Sequence, residues 1–125
     1  MNIMLLTDRA DLREHIARSL QTRGHDVRVP DHRTAVTATA KESHPQLVVL
    51  DMYLNDPSGA RILSGLRSNG YQGAVIAMAG PSNVVSAEHS HPLAVHRVVK
   101  LPVPIGEGFD LGELETAVDG ISQSS

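Results

Sequence analysis

Residues 47–51, Leu47-Val48-Val49-Leu50-Asp51, decide the fold. Four apolar side chains in a row are too few for a helix, and they lack the alternation of a strand with one wet face. They describe a strand buried on both faces, which is the habit of parallel sheets covered by helices. The run ends abruptly in a carboxylate.

Working outward, the same grammar repeats. Before the run, Arg33 to Glu42 is an Ala- and Thr-rich stretch that predicts a helix closed by His44-Pro45. After it, Asp56-Pro57-Ser58-Gly59 is a turn and helix-start signature, and Ala60, Leu63 and Leu66 mark the helix. Asn69-Gly70 signals a turn, and Ala74 to Ala79 a further small, apolar strand. Toward the N-terminus, Ile3 to Leu6 predicts a strand, and Leu12, Ile16 and Leu20 one face of a helix. Asp11 with Glu14 reads as a capping box at its start, and Gly24 as its left-handed C-terminal cap. Val27 to Val29 predicts a short strand. Toward the C-terminus, Pro81 to His89 is a polar, poorly patterned helix candidate, and Val98-Val99 belongs to a fifth strand. Asp110 and Glu113 read as caps for a last helix through Leu114, Val118 and Ile121, with Ser122 to Ser125 as a loose tail.

Five strands alternating with about five helices predict an α/β fold: one doubly wound, five-stranded parallel sheet with helices on both faces. Residues 1–121 make the single domain, and 122–125 its tail. The 125 residues, 41% hydrophobic and 20% charged, fit one globular domain. With no Cys, thiol nucleophiles, disulfides and thiolate metal sites are excluded. A net charge of −3 without a basic run argues against nucleic acid as a partner. No apolar run approaches the roughly 20 residues of a membrane span. Met1-Asn2-Ile3-Met4 lacks the features of a signal peptide, so a cytoplasmic location is expected.

In open α/β sheets, ligands bind beyond the carboxyl ends of the strands. Asp8 follows the first strand, Asp51 the third, Ala79-Gly80 the fourth and Lys100 the fifth. Two carboxylates can hold one Mg²⁺ that keeps most of its water, and a lysine can meet a phosphoryl group. One carboxylate could itself be a nucleophile and form an acyl phosphate. His89-x-His91 with His96 nearby lacks an acid cluster, so these histidines read as solvated surface rather than a zinc site.

Ile3-Met4-Leu5-Leu6-Thr7-Asp8, Leu47 to Asp51 and Val98-Val99-Lys100 together resemble the anchor segments of response-regulator receiver domains. The resemblance spans nearly the whole chain and implies the strand order 2-1-3-4-5. It also implies that Asp51 is the phosphoacceptor. Asp8, Asp51 and the backbone carbonyl of Tyr53 would be ligands for Mg²⁺, and Lys100 the phosphoryl-binding cation. Gly59 matches the glycine that opens the third helix. The implied donors are a histidine kinase or a phosphotransfer protein. The output would be altered binding to a downstream protein or to a second copy of the chain.

The sequence departs from the family in places that matter. Thr7 stands where a second acid is usual, which lowers the charge available to Mg²⁺. Ala79 replaces the hydroxyl residue that ends the fourth strand, with Ser82 as a nearby candidate substitute. Arg97 replaces an aromatic switch residue. The Lys-Pro pair is interrupted as Lys100-Leu101-Pro102, and Pro102 to Phe109 is long and Gly-rich. Tyr53 and Pro81, at the positions that influence hydrolysis in the family, carry neither an acid nor an amide to orient water, so a long-lived phosphate is expected. These departures keep a second reading open, a pseudo-receiver that binds proteins without phosphorylation. A nucleotide-binding enzyme fits worst, since Thr7-Asp8-Arg9-Ala10 is no Gly-rich phosphate loop. At most, the chain would catalyse its own phosphorylation and dephosphorylation.

Overall fold

A computed structural model of the protein describes residues 1–30, 36–54, 58–79 and 95–124. The elements run β1 (Asn2–Leu6), α1 (Ala10–Thr22), β2 (Asp26–Arg28), α2 (Val36–Ser43), β3 (Leu47–Asp51), α3 (Gly59–Ser68) and β4 (Ala74–Ala79). They continue as β5 (Arg97–Lys100), β6 (Pro104–Ile105), β7 (Gly108–Phe109) and α4 (Gly112–Ser124). The helix expected over Pro81 to His89 lies outside the described residues.

Strands β1 to β5 form one sheet in the order β2-β1-β3-β4-β5, every pairing parallel. That is the expected doubly wound α/β topology. Alternation along each strand sorts the apolar side chains to two faces. Ile3, Leu5, Leu47, Val49, Ile76 and Met78 pack with Leu12, Ile16 and Leu20 of α1 and Leu114 and Val118 of α4. Met4, Leu6, Val48, Leu50 and Val75 pack on the other face with Val36 and Ala40 of α2 and Ile62, Leu63 and Leu66 of α3. Every residue of β3 is buried. Each large apolar side chain removed from water in this way contributes about 1.5–3 kcal/mol before entropy is counted.

Several local expectations need correction. Helix α1 begins at Ala10 with Arg9 as N-cap, so Asp11 is already in the first turn and forms no capping box. Glu14 instead pairs with Arg18 one turn on, at 2.9 Å. The end of α1 is as expected: Gly24 has φ +93°, and the His25 N–H reaches back to the Leu20 carbonyl at 3.1 Å. In α3 the inward residue is Ile62 rather than Ala60, which is exposed. Asp110 accepts from the Gly112 N–H ahead of α4, but Glu113 turns back to accept from the Lys100 N–H at 3.3 Å. Helix α4 runs to Ser124, so most of the expected tail continues the helix. The Gly-rich segment after β5 folds into the β6–β7 hairpin, with Pro104 opposite Phe109 and Ile105 opposite Gly108. Among the described residues, no helix is long and apolar enough to cross a membrane.

Candidate functional site

Parallel pairing sets the site. Leu6 pairs with Leu50 across β1 and β3, and one step past this pair lie Thr7 and Asp51. Both are buried, Thr7 at 6% exposure and Asp51 at 2%, and they are the only buried polar side chains among the described residues. A carboxylate this deep requires donors. The Thr7 hydroxyl donates to Asp51 Oδ2 at 2.8 Å, and the Tyr53 N–H donates to Oδ1 at 2.8 Å. Each such bond to a charged group stabilises by about 1.5–3 kcal/mol.

The turn after Asp51 is shaped by α3. A Cβ on Gly59 would lie 2.8 Å from the Met52 Cα and 2.9 Å from the Asp51 carbonyl oxygen, so only glycine lets the helix start this close. Ser58 caps that helix by accepting from the Arg61 N–H at 3.2 Å. Asp56 and Pro57 lie outside the described residues.

The remaining expected site residues differ in their involvement. Asp8 is exposed and follows Thr7 on the loop leaving β1. Lys100 is exposed at the end of β5, in register with Ala79, while Asp51 pairs with Met78. Lys100 therefore sits at the same edge as Asp51, two strands away, or roughly 10 Å at ordinary strand spacing. Among the described residues, no ion pair within 4 Å joins its ammonium to Asp51. Ala79 is buried at 1% and presents only a methyl group. Arg97 is exposed at the far end of β5, paired with Ile76, away from Asp51. Gly80, Pro81, Ser82, His89 and His91 are outside the described residues.

Three residues gain significance only in three dimensions. Thr7, where the resemblance leads to an acid, is a hydrogen-bond donor to the Asp51 carboxylate. Its Oγ1 also accepts from the Arg9 N–H at 3.3 Å, and the Arg13 guanidinium reaches its carbonyl oxygen at 3.5 Å. The Arg9 guanidinium lies over the Phe109 ring of the hairpin, 5.7 Å from its centroid. Phe109 meets His15 of α1 edge-on, with centroids 5.2 Å apart. A hydroxyl one step past the Leu6–Leu50 pair was the available signal for Thr7. Nothing local marks Arg9 or Phe109.

Mg²⁺ takes oxygen ligands, usually one or two carboxylates and several waters. Among the described residues, no three His, Asp or Glu side chains group to hold a metal. Two carboxylates with a backbone carbonyl still match the chemistry. A carboxylate has about four acceptor positions, and Thr7 and Tyr53 together use two of those on Asp51. The donor set therefore fits.

The sequence model described as the response regulator receiver domain matches residues 3–107. The chain belongs to that family, whose members are signalling modules rather than enzymes in the usual sense. Solved structures share the fold. The receiver domain of NtrX from Brucella abortus is 20% identical, with a TM-score of 0.80 over 98% of this chain and 99% of that one. The receiver domain of HemR from Leptospira biflexa, not phosphorylated, is 16% identical, with a TM-score of 0.80 over 96% and 92%. The response regulator TrrA from Thermotoga maritima, solved in complex with Mg²⁺-BeF, is 20% identical, with a TM-score of 0.77 over 96% and 97%. No curated protein matches the chain.

Proposed function

We propose that this receiver accepts a phosphoryl group on Asp51 from a phosphohistidine of a histidine kinase or phosphotransfer protein. The observation that carries this reading is the buried Asp51 carboxylate at the carboxyl edge of the sheet, each oxygen fixed by one donor. A carboxylate oxygen attacks phosphorus, and the phosphorus–nitrogen bond of the donor breaks. The electron pair leaves on the imidazole nitrogen, which takes up a proton. The product is an acyl phosphate on Asp51. Asp8, Asp51 and the Tyr53 carbonyl would hold Mg²⁺, which when bound neutralises charge on the phosphoryl oxygens. Lys100, at the same edge, supplies a flexible point charge to the phosphoryl group.

The added charge of about −1.5 to −2 is the physical signal, read by a downstream protein or a second copy of the chain. Such a relay belongs in the cytoplasm. The test is a titration with Mg²⁺ and beryllofluoride, an acyl-phosphate mimic, followed by amide NMR on wild type and Asp51→Asn. Shifts at Tyr53 that need both Mg²⁺ and Asp51 are expected. Their absence at millimolar Mg²⁺ would replace this reading with a pseudo-receiver, which the bare methyl of Ala79 already favours.

A further inference from the structure

We infer that Thr7 is the positioning residue that reads the state of Asp51 and relays it through Arg9 to the β6–β7 hairpin. This rests on the acceptor reading above. Thr7 gives Asp51 its one side-chain hydrogen bond among the described residues, at 2.8 Å. The fourth strand can offer none, because it ends in Ala79.

The bond depends on charge. Thr7 donates to a carboxylate, and such charge-assisted bonds are roughly twice as strong as neutral ones. Once Asp51 is an acyl phosphate, neither of its own oxygens carries that charge. If Oδ2 is the bridging oxygen, it becomes a poor acceptor. If Oδ1 is, Oδ2 becomes a neutral carbonyl. In both cases the strongest acceptors within the site are the phosphoryl oxygens, and the Thr7 hydroxyl turns toward them.

That turn has somewhere to go. The same Oγ1 accepts from the Arg9 N–H at 3.3 Å. Arg9 is the N-cap of α1, is extended at φ −84° and ψ 102°, and has no side-chain cap of its own. Its guanidinium covers Phe109, which also packs against His15. The hairpin is small, closed by the Asp110 N–H on the Val103 carbonyl at 2.9 Å, and exposes Val103 and Ile105. Three contiguous contacts thus join Asp51 to Phe109, and the hairpin that carries Phe109 exposes Val103 and Ile105.

The experiment is amide NMR with saturating Mg²⁺ and beryllofluoride on wild type, Thr7→Val, Thr7→Ser and Phe109→Leu. In wild type, shifts are expected at Tyr53, Thr7, Arg9, Gly108 and Phe109. Thr7→Val should keep the Tyr53 shift and lose those at Arg9, Gly108 and Phe109, and Thr7→Ser should restore them. Phe109→Leu, which leaves the buried site intact, should keep the Thr7 and Tyr53 shifts and lose that at Gly108. Hairpin shifts that survive in Thr7→Val, or wild-type shifts that stop at Tyr53 and Thr7, would overturn the relay and leave the acceptor standing. No shift at Tyr53 in wild type would remove both.

Discussion

The hydroxyl of Thr7 donates to Asp51 Oδ2 at 2.8 Å across 44 residues of sequence, joining the ends of two neighbouring strands inside the fold. With the Tyr53 N–H on Oδ1, it gives each oxygen of the Asp51 carboxylate one donor from the protein. The energetic consequence is a coupled pair. Thr7→Val should cost about 1.5–3 kcal/mol of stability, because a buried charge loses a donor. In an Asp51→Asn background the charge is gone, and the same change should cost clearly less. Urea unfolding of the four proteins in this cycle measures the difference. Equal costs in both backgrounds would mean that the bond contributes no specific stability.

A second carboxylate at that position should act through metal. In Thr7→Asp, two acids meet in a buried site and repel when both are ionised. The variant should be less stable than wild type in the presence of a chelator. It should then gain more from millimolar Mg²⁺, since a ligand that binds only the folded state stabilises it. A tenfold gain in Mg²⁺ affinity, about 1.4 kcal/mol, is expected by calorimetry. If both proteins respond to Mg²⁺ alike, the residue 7 side chain does not face the cation.

Stability should also fall in mild acid, for a reason remote from the site. Burial, and then the positive Met1 amine whose nitrogen lies 3.2 Å from Nδ1, hold the His25 pKa below its ordinary 6.5. The folded state therefore resists protonation while the unfolded chain accepts it. The unfolded state binds more protons as pH drops below about 6.5, so stability declines there and is regained above. Asp119, lowered chiefly by its hydrogen bond with Arg23, adds a loss only near and below the ordinary carboxylate range of 3.8. Melting temperatures of wild type and His25→Gln between pH 7 and 5 separate the two. The variant should be flatter across that window, and parallel curves would remove His25 as the cause.

What was legible in the chain follows from where the information lies. Leu47 to Asp51 and Ala74 to Ala79 carry their burial in unbroken apolar runs, so strands, helices and the parallel sheet could be read from period alone. The placement of Asp51, Asp8 and Lys100 at one edge can be read because Asp51 and Lys100 end strands, Asp8 follows one, and parallel strands deliver their ends together. The start of α1 departs from the capping-box pattern because its N-cap, Arg9, has no side-chain cap and its N–H is held by Thr7, two residues before it. The hairpin lies beyond the reach of local patterning. Its strands have two residues each, too short for any period, and Phe109 is anchored by Arg9 and His15 from another element. Thr7 was visible as an absent acid, but its bond to Asp51 needed the β1–β3 register.

The lifetime of the phosphate tests the site from its solvent side. Tyr53 contributes its backbone N–H to Asp51 Oδ1, while the residue as a whole is 43% exposed. The two roles are separable, so replacing the side chain should leave the acceptor in place. A phenol there can shield the phosphoryl group but has no carboxylate or amide with which to orient an attacking water. Tyr53→Glu should therefore shorten the life of the phosphorylated form. A tenfold faster decay corresponds to about 1.4 kcal/mol off the hydrolysis barrier. Loading with a small acyl phosphate and following intact mass over time gives the rate, with Asp51→Asn as the control that never gains the phosphoryl mass. Equal lifetimes in wild type and Tyr53→Glu would show that water reaches phosphorus without passing the Tyr53 side chain.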